Sequence, residues 1–296
     1  MEKEKSLIKA WAEAARPKTL PASFSPVLVG CAVAYRDGSF RIGLAVICLL
    51  VAVLAQIASN FANDYFDFKK GADGADRVGP ERAVASGWIT PSAMLKGTFV
   101  TLGLACLCGC LLLFYAGWEL IFVGLAVAIG VLAYSAGPYP LAYHGLGDVC
   151  VLLFYGVVPV CFTYYVQALS FSLLSFLLSL AVGLLSVNIL IVNNYRDYEQ
   201  DKSASKQTTI VWFGRPFGRI VYLLNGLLAM AITLPLFLNL AWWADIAFAA
   251  FGVLFVATWL EMKQREGAEL NKTLGHTARN VFLFSLLLTL VLASGA

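Results

Sequence analysis

The feature that most constrains this chain is a series of apolar runs, each close to the ~20 residues a helix needs to cross bilayer hydrocarbon. Nine segments meet or nearly meet that length: 20–36, 41–62, 92–115, 117–134, 147–168, 171–192, 218–239, 241–260 and 275–293. Only 13% of the 296 residues are charged and 60% are hydrophobic, whereas a soluble domain carries about 25% charge. With lipid as solvent, every backbone polar group must be satisfied within its segment, which leaves α-helices. The expectation is an all-α integral membrane protein of about nine transmembrane helices, forming one domain over 1–296. Pro159 and Pro235 fall inside predicted spans, where neighbouring helices can take up the broken hydrogen bond.

Lys and Arg distribution tests that count. With the N-terminus cytoplasmic, nineteen of the 21 basic residues fall on the cytoplasmic side, leaving only Arg36 and Arg41 outside. This asymmetry follows the positive-inside rule and predicts a multi-pass protein of the cell inner (plasma) membrane. The net charge of +3 therefore reflects topology; nothing marks a nucleic-acid or protein partner. Residues 3–15, KEKSLIKAWAEAA, place Leu7, Ile8 and Trp11 at helical spacing among charges. An interfacial segment over 1–18 is expected rather than a signal peptide. The seven cysteines all lie in predicted spans. In a helix, Cys108 turns away from Cys106 and Cys110, so they read as small packing residues rather than metal ligands.

The acids are as one-sided as the bases, and most lie in two stretches after the second and sixth spans. The first contains Asn63, Asp64, Tyr65, Asp67, Asp73, Asp76, Arg77, Glu81 and Arg82; the second contains Asn193, Tyr195, Asp197, Glu199, Asp201, Lys202 and Lys206. Asn63, Tyr65 and Asp67 precede Asn193, Tyr195 and Asp197 by 130 residues. The match predicts a pseudo-repeat with halves of about 20–146 and 147–296, which brings the two polar helix ends together. Asn63 and Asp67 are four apart, as are Asn193, Asp197 and Asp201, so each set stacks on one helix face. Oxygen ligands so grouped suit a magnesium ion, which takes one or two carboxylates and completes its shell with waters and phosphate oxygens. Asn63, Asp64, Asp67, Asp73, Asn193, Asp197 and Asp201 are the candidate ligands. Arg77, Arg82, Lys202 and Lys206 are the candidate phosphate-binding cations. An ordinary solvated loop accounts for Lys69, Lys70, Asp76 and Glu199, but not for two Asn-x-x-x-Asp units at matched span ends.

A third polar loop, Tyr134 to Asp148, is rich in Pro and Gly and nearly uncharged. Its Tyr134, Tyr139 and Tyr143 either anchor the membrane interface or face the site. Leu270–Arg279 reads as an ordinary helix start.

These motifs resemble the UbiA superfamily of intramembrane prenyltransferases. NDYFDFKKGAD at 63–73, RVGPER at 77–82 and NNYRDYEQDKSASK at 193–206 carry the likeness across essentially the whole chain. RPKTLPASFSPVLVG at 16–30, YSAGPYPLAYHGLGD at 134–148 and LNKTLGHTAR at 270–279 resemble its naphthoate branch. So does Pro138, where many members have Lys four residues after the tyrosine equivalent to Tyr134. The resemblance implies a UbiA-like bundle with a cytoplasmic-side active site. There a polyprenyl group passes from polyprenyl diphosphate to 1,4-dihydroxy-2-naphthoate, in membrane lipid, with Mg2+ as cofactor. Asn63, Asp67, Asp197 and Asp201 would be catalytic metal ligands; Arg77, Arg82, Lys202, Lys206, Tyr134 and Tyr143 would bind substrate. A benzoate or homogentisate acceptor is the alternative within the superfamily. A transporter is the alternative outside it, and predicts ionisable groups near the midplane.

Overall fold

The computed structural model describes residues 6–73, 77–238 and 242–295. Lys3, Lys5, the start of the expected interfacial segment and Asp76 lie outside the described residues. Twelve α-helices make up the fold, with no strand among the described residues: α1 (Leu7–Ala14), α2 (Pro21–Arg36), α3 (Ile42–Lys69), α4 (Pro91–Ala116), α5 (Leu120–Ala133), α6 (Gly147–Leu152), α7 (Val158–Ala168), α8 (Leu173–Arg196), α9 (Tyr198–Ser203), α10 (Thr209–Thr233), α11 (Trp242–Gln264) and α12 (Leu270–Ala293). A π-helical turn over Leu153–Val157 fuses α6 and α7 into one rod, and Pro159, which lacks an N–H, sits just after it.

Seven helical rods are long and apolar enough to cross a bilayer; α5, with 14 residues, and α2, with 16, are shorter. All nine apolar segments are thus helical, but seven have spanning length. Of these, α3 matters most for function. Its 28 residues rise about 42 Å at 1.5 Å each, against a hydrocarbon core of about 30 Å. Its last turns, carrying Asn60 to Lys69, therefore reach past the apolar layer while remaining helical.

The buried core centres on α8. Leu178, Val182, Leu185 and Ile191 pack against Tyr222 and Phe255, whose rings stack 5.3 Å apart, and against Phe284 of α12. Small residues allow close helix approach, the usual device where apolar side chains gain nothing from leaving lipid. At the crossing of the π turn with α8, a Cβ on Gly156 would lie 2.6 Å from Gly183 Cα and Ser179 O. Gly156→Leu is expected to destabilise the protein by roughly 1–3 kcal/mol through overpacking. Gly43→Leu, which meets nothing within 4 Å, serves as its control. Thermal unfolding in detergent checks this; a Gly156→Leu midpoint equal to wild type refutes the close-packing account.

Candidate functional site

One cavity of about 860 Å³ enters the bundle where α3 and α8 end. It is lined by Asn63, Asp64, Asp67, Asp73, Arg77 and Arg82 from the first motif, and by Asn193, Asp197, Asp201 and Lys206 from the second. The two stretches, 130 residues apart in sequence, thus face each other across one space.

At the first motif, the i,i+4 spacing does what it predicts: Asn63 Nδ2 donates to Asp67 Oδ2 at 2.8 Å. The Asn63 carbonyl oxygen accepts from two guanidiniums, Arg82 Nη2 at 2.9 Å and Arg16 Nη2 at 2.6 Å. Arg16 arrives from the turn between α1 and α2, in a left-handed conformation (φ 53°) uncommon for a side-chain-bearing residue. Tyr143 Oη donates to Asp67 Oδ1 at 2.9 Å, so this tyrosine is buried behind the carboxylate and is not among the cavity-lining residues. Tyr134 does line the cavity. Asp64 turns elsewhere: its oxygens accept from the backbone N–H groups of Ala83 and Val84, at 3.1 and 3.2 Å. That carboxylate anchors the loop after α3. Asp73 pairs with Arg77 and lies 3.6 Å from Arg82 Nε.

At the second motif, α8 ends at Arg196 and α9 begins at Tyr198, yet the i→i−4 bonding continues. Asp197 N donates to Asn193 O at 3.0 Å and Asp201 N to Asp197 O at 2.8 Å. Asp197 is held bidentately by Arg196, at 2.7 Å for both contacts. The same guanidinium donates to Asn193 Oδ1 at 2.8 Å and Asn271 Oδ1 at 2.7 Å. Asp201 Oδ1 pairs with Lys206 at 3.3 Å. Lys202, one position on from Asp201 and so turned about 100° around the helix, is exposed and absent from the cavity lining. Its ammonium thus lies apart from the cavity that holds Lys206.

Burial dominates the electrostatics here. It pushes the carboxyls of Asp73 and Asp201 up to about 6, against the lowering effect of Arg77 and Lys206 respectively. Burial also disfavours the Lys206 ammonium, but Asp201, Asp67 and Asp197 together outweigh it and raise its pKa. Asp73 Oδ2 and Asp201 Oδ2 are buried with no hydrogen-bond partner, a costly state unless something positive meets them. Among the described residues no three His, Cys, Asp or Glu side chains form a ready-made metal cluster. Magnesium does not require one. Two unpartnered carboxylate oxygens on residues that line one cavity fit a hard divalent cation whose shell is shared with phosphate.

Sequence reasoning missed Arg16, Arg196 and Asn271. No spacing rule points to them; the hints were that Arg196 stands inside the motif at 193–206, Arg16 opens the stretch at 16–30 and Asn271 lies in the segment at 270–279. Arg196→Ala, which leaves the buried Asp197 carboxylate unpaired, is expected to destabilise by roughly 3–5 kcal/mol. Lys202→Ala should stay within about 0.5 kcal/mol of wild type. Unfolding of both variants in detergent checks this, and equal midpoints overturn the buried-pair reading.

Comparison with known proteins shows the family and the fold. The family model for the UbiA prenyltransferase family matches residues 23–290. A 1,4-dihydroxy-2-naphthoate octaprenyltransferase from Escherichia coli strain K12 is 35% identical, over 98% of this chain and 96% of its own. One from Mycobacterium tuberculosis is also 35% identical, over 96% of this chain and 97% of its own. Among solved structures, a UbiA homolog from Archaeoglobus fulgidus bound to DMAPP and Mg2+ superposes with a TM-score of 0.66. It is 18% identical, over 96% of this chain and 99% of that one, a likeness of fold.

Proposed function

The chain belongs to the UbiA prenyltransferase family, and from that premise we propose that it transfers a polyprenyl group from polyprenyl diphosphate to 1,4-dihydroxy-2-naphthoate. Carbon dioxide and a proton leave the acceptor ring, and the products are diphosphate and the reduced, 1,4-dihydroxy form of demethylmenaquinone, which becomes the quinone only on later oxidation elsewhere. The observation that carries the reading is the pair of facing motifs, with two unpartnered buried carboxylate oxygens beside a ring of cations.

Breaking the allylic C–O bond leaves a carbocation and a diphosphate bearing about three negative charges, so the site must hold anionic charge as it develops. Asp67, Asp201 and Asp73, with Asn63 and Asn193, would hold Mg2+, which supplies Lewis-acid stabilisation of the leaving group when bound. Asp197 belongs to the same set through Arg196, which fixes its orientation. Arg77, Arg82 and Lys206 would take the remaining phosphate oxygens. Tyr143 would keep Asp67 oriented, while Tyr134, which lines the cavity, would stabilise the carbocation by cation–π attraction. The apolar walls beyond exclude water, which would otherwise capture the carbocation.

The basic-residue asymmetry supports a cytoplasmic N-terminus and a cytoplasmic-side site in the inner membrane, with α2 and α5 completing nine crossings. Protease removal of an N-terminal tag in inverted vesicles, but not in right-side-out ones, checks this orientation; the opposite pattern overturns it.

Asp67→Ala and Asp201→Ala should each lower prenyl transfer by about a hundredfold or more in detergent with excess magnesium. Turnover unchanged in both refutes the ligand assignment. Prenylation of 4-hydroxybenzoate but not of dihydroxynaphthoate would overturn the acceptor. Because the Asp73 and Asp201 pKa values are raised, protons compete with metal as pH falls through about 6. Magnesium affinity measured calorimetrically should weaken by about fourfold per carboxylate between about pH 7.5 and 5.5. A flat profile removes both carboxylates from the site.

A further inference from the structure

Beside the second motif, the start of α10 and the end of α11 carry cations that the reaction does not use. Arg215 and Arg219 stand four apart on α10 and so share a face. Their guanidiniums meet at one side chain: the Cζ atoms of both lie 5.5 Å from the centre of the Tyr195 ring. Arg219 donates to Tyr195 Oη from Nε at 2.8 Å and from Nη2 at 2.5 Å, while Arg215 lies 5.2 Å from the Tyr198 ring. Across the groove, Trp259 Nε1 of α11 donates to the Arg219 carbonyl at 2.8 Å, and Lys263 Nζ sits 4.6 Å from the centre of the same indole. None of these residues lines the cavity. No ion pair among the described residues includes Arg215, Arg219 or Lys263. Glu261 is taken by Arg265 at 2.7 Å and His276 at 2.8 Å, and Glu199 is exposed and forms no ion pair. Aromatic faces hold cations in place but bring no net negative charge, an arginine stays protonated, and like charges four apart destabilise a helix. Three fixed positive charges on adjoining helix ends thus stand without an anion.

We propose that Arg215, Arg219 and Lys263 form a site for the phosphate headgroup of an anionic phospholipid of the surrounding bilayer, separate from the diphosphate site. The surroundings select a lipid over a free anion. The helix breaks at Gly214 (φ 82°); Trp212 and Phe213 before the break are exposed, as are Ile220 and Leu224 beyond it. Aromatic residues at helix ends mark the headgroup level of a bilayer, and acyl chains cover exposed aliphatic side chains as free phosphate does not. Guanidiniums match the paired oxygens of a phosphodiester, and basic pockets between membrane helices recognise anionic headgroups in this way. Because Tyr195 and Trp259 already fix Arg219 from two sides, binding orders little that is loose. The site stands on charge and position alone, so it holds whichever acceptor the cavity takes.

Mass spectrometry of the intact full chain in detergent, titrated with phosphatidylglycerol or with phosphatidylcholine of the same acyl chains, counts the bound lipid. Wild type should bind phosphatidylglycerol about tenfold or more tightly than phosphatidylcholine. Arg215→Gln, Arg219→Gln and Lys263→Gln should each weaken phosphatidylglycerol by about fivefold, the usual worth of one basic side chain near an anionic lipid, and leave phosphatidylcholine unchanged. Lys96→Gln, at an exposed cation on α4, should match wild type. Lys263 is itself exposed, so its variant keeps the test open if loss of Arg219 unsettles the buried Tyr195 hydroxyl. Equal affinity of wild type for the two lipids overturns the site, as does unchanged phosphatidylglycerol binding in the variants. An equal loss in Lys96→Gln also overturns it, since diffuse surface charge would then suffice. Glycerol 3-phosphate at the lipid's own concentration should displace none of it; displacement overturns the choice of a lipid.

Discussion

A single carboxamide ties the charged end of the bundle together. Asn63 gives its oxygen to Arg16 and Arg82 and its nitrogen to Asp67 and Ser135. It thereby joins the segment before α2, the loop after α3, its own helix and the end of α5. The second motif has a counterpart in Arg196, which gathers Asn193, Asp197 and Asn271 from α8, the α8–α9 junction and α12. The two hubs meet at the 77–82 loop: Gly79 lies against the Arg196 guanidinium, and Val78 N donates to Gln200 Oε1 at 3.4 Å. Buried polar networks are favourable only when nearly every member is satisfied. Here nearly all are, apart from two carboxylate oxygens and Arg82 Nε in the same cavity. The deficit is concentrated where a polyvalent cation and an anion would meet.

The helices were legible from length and polarity because lipid leaves so little choice. Every apolar run became helix, and the difference lies in length: α2 and α5 are shorter than the other seven rods. The acidic ends were legible for a related reason: an Asn-x-x-x-Asp unit at the point where a run stops has few structural excuses. What could not be read was direction. Lys202 and Lys206 have the same charge and neighbourhood in sequence, but the end of α9 sends one outward and the other, beyond the turn at Ser205 (φ 56°), onto Asp201. Asp64 and Asp67 are likewise three apart, yet one binds backbone and the other faces Tyr143. Arg16 was illegible because a left-handed backbone residue, stabilised when Thr19 Oγ1 donates to its carbonyl at 3.0 Å, decides where its side chain goes.

The mid-membrane polar residues separate this molecule from a transporter on physical grounds. Asn225 donates to Asn188 and Asn188 to the Tyr222 carbonyl, both at 3.0 Å, and neither asparagine lines the cavity. They satisfy one another within the core, which is what polar groups surrounded by hydrocarbon must do. Gln56 does line the cavity but is matched by Ser23 Oγ at 2.9 Å. No ionisable relay crosses the bundle among the described residues, and the cavity ends on the apolar cluster around Cys48 and Leu112.

A two-natured cavity is what transfer of a prenyl group requires. The diphosphate end needs cations and carboxylates in a place that water can enter and leave, which confines it to helix ends beyond the hydrocarbon. The tail needs the opposite. Its length exceeds what a bundle of this size can enclose, so the apolar arm must reach lipid without admitting water to the reacting carbon.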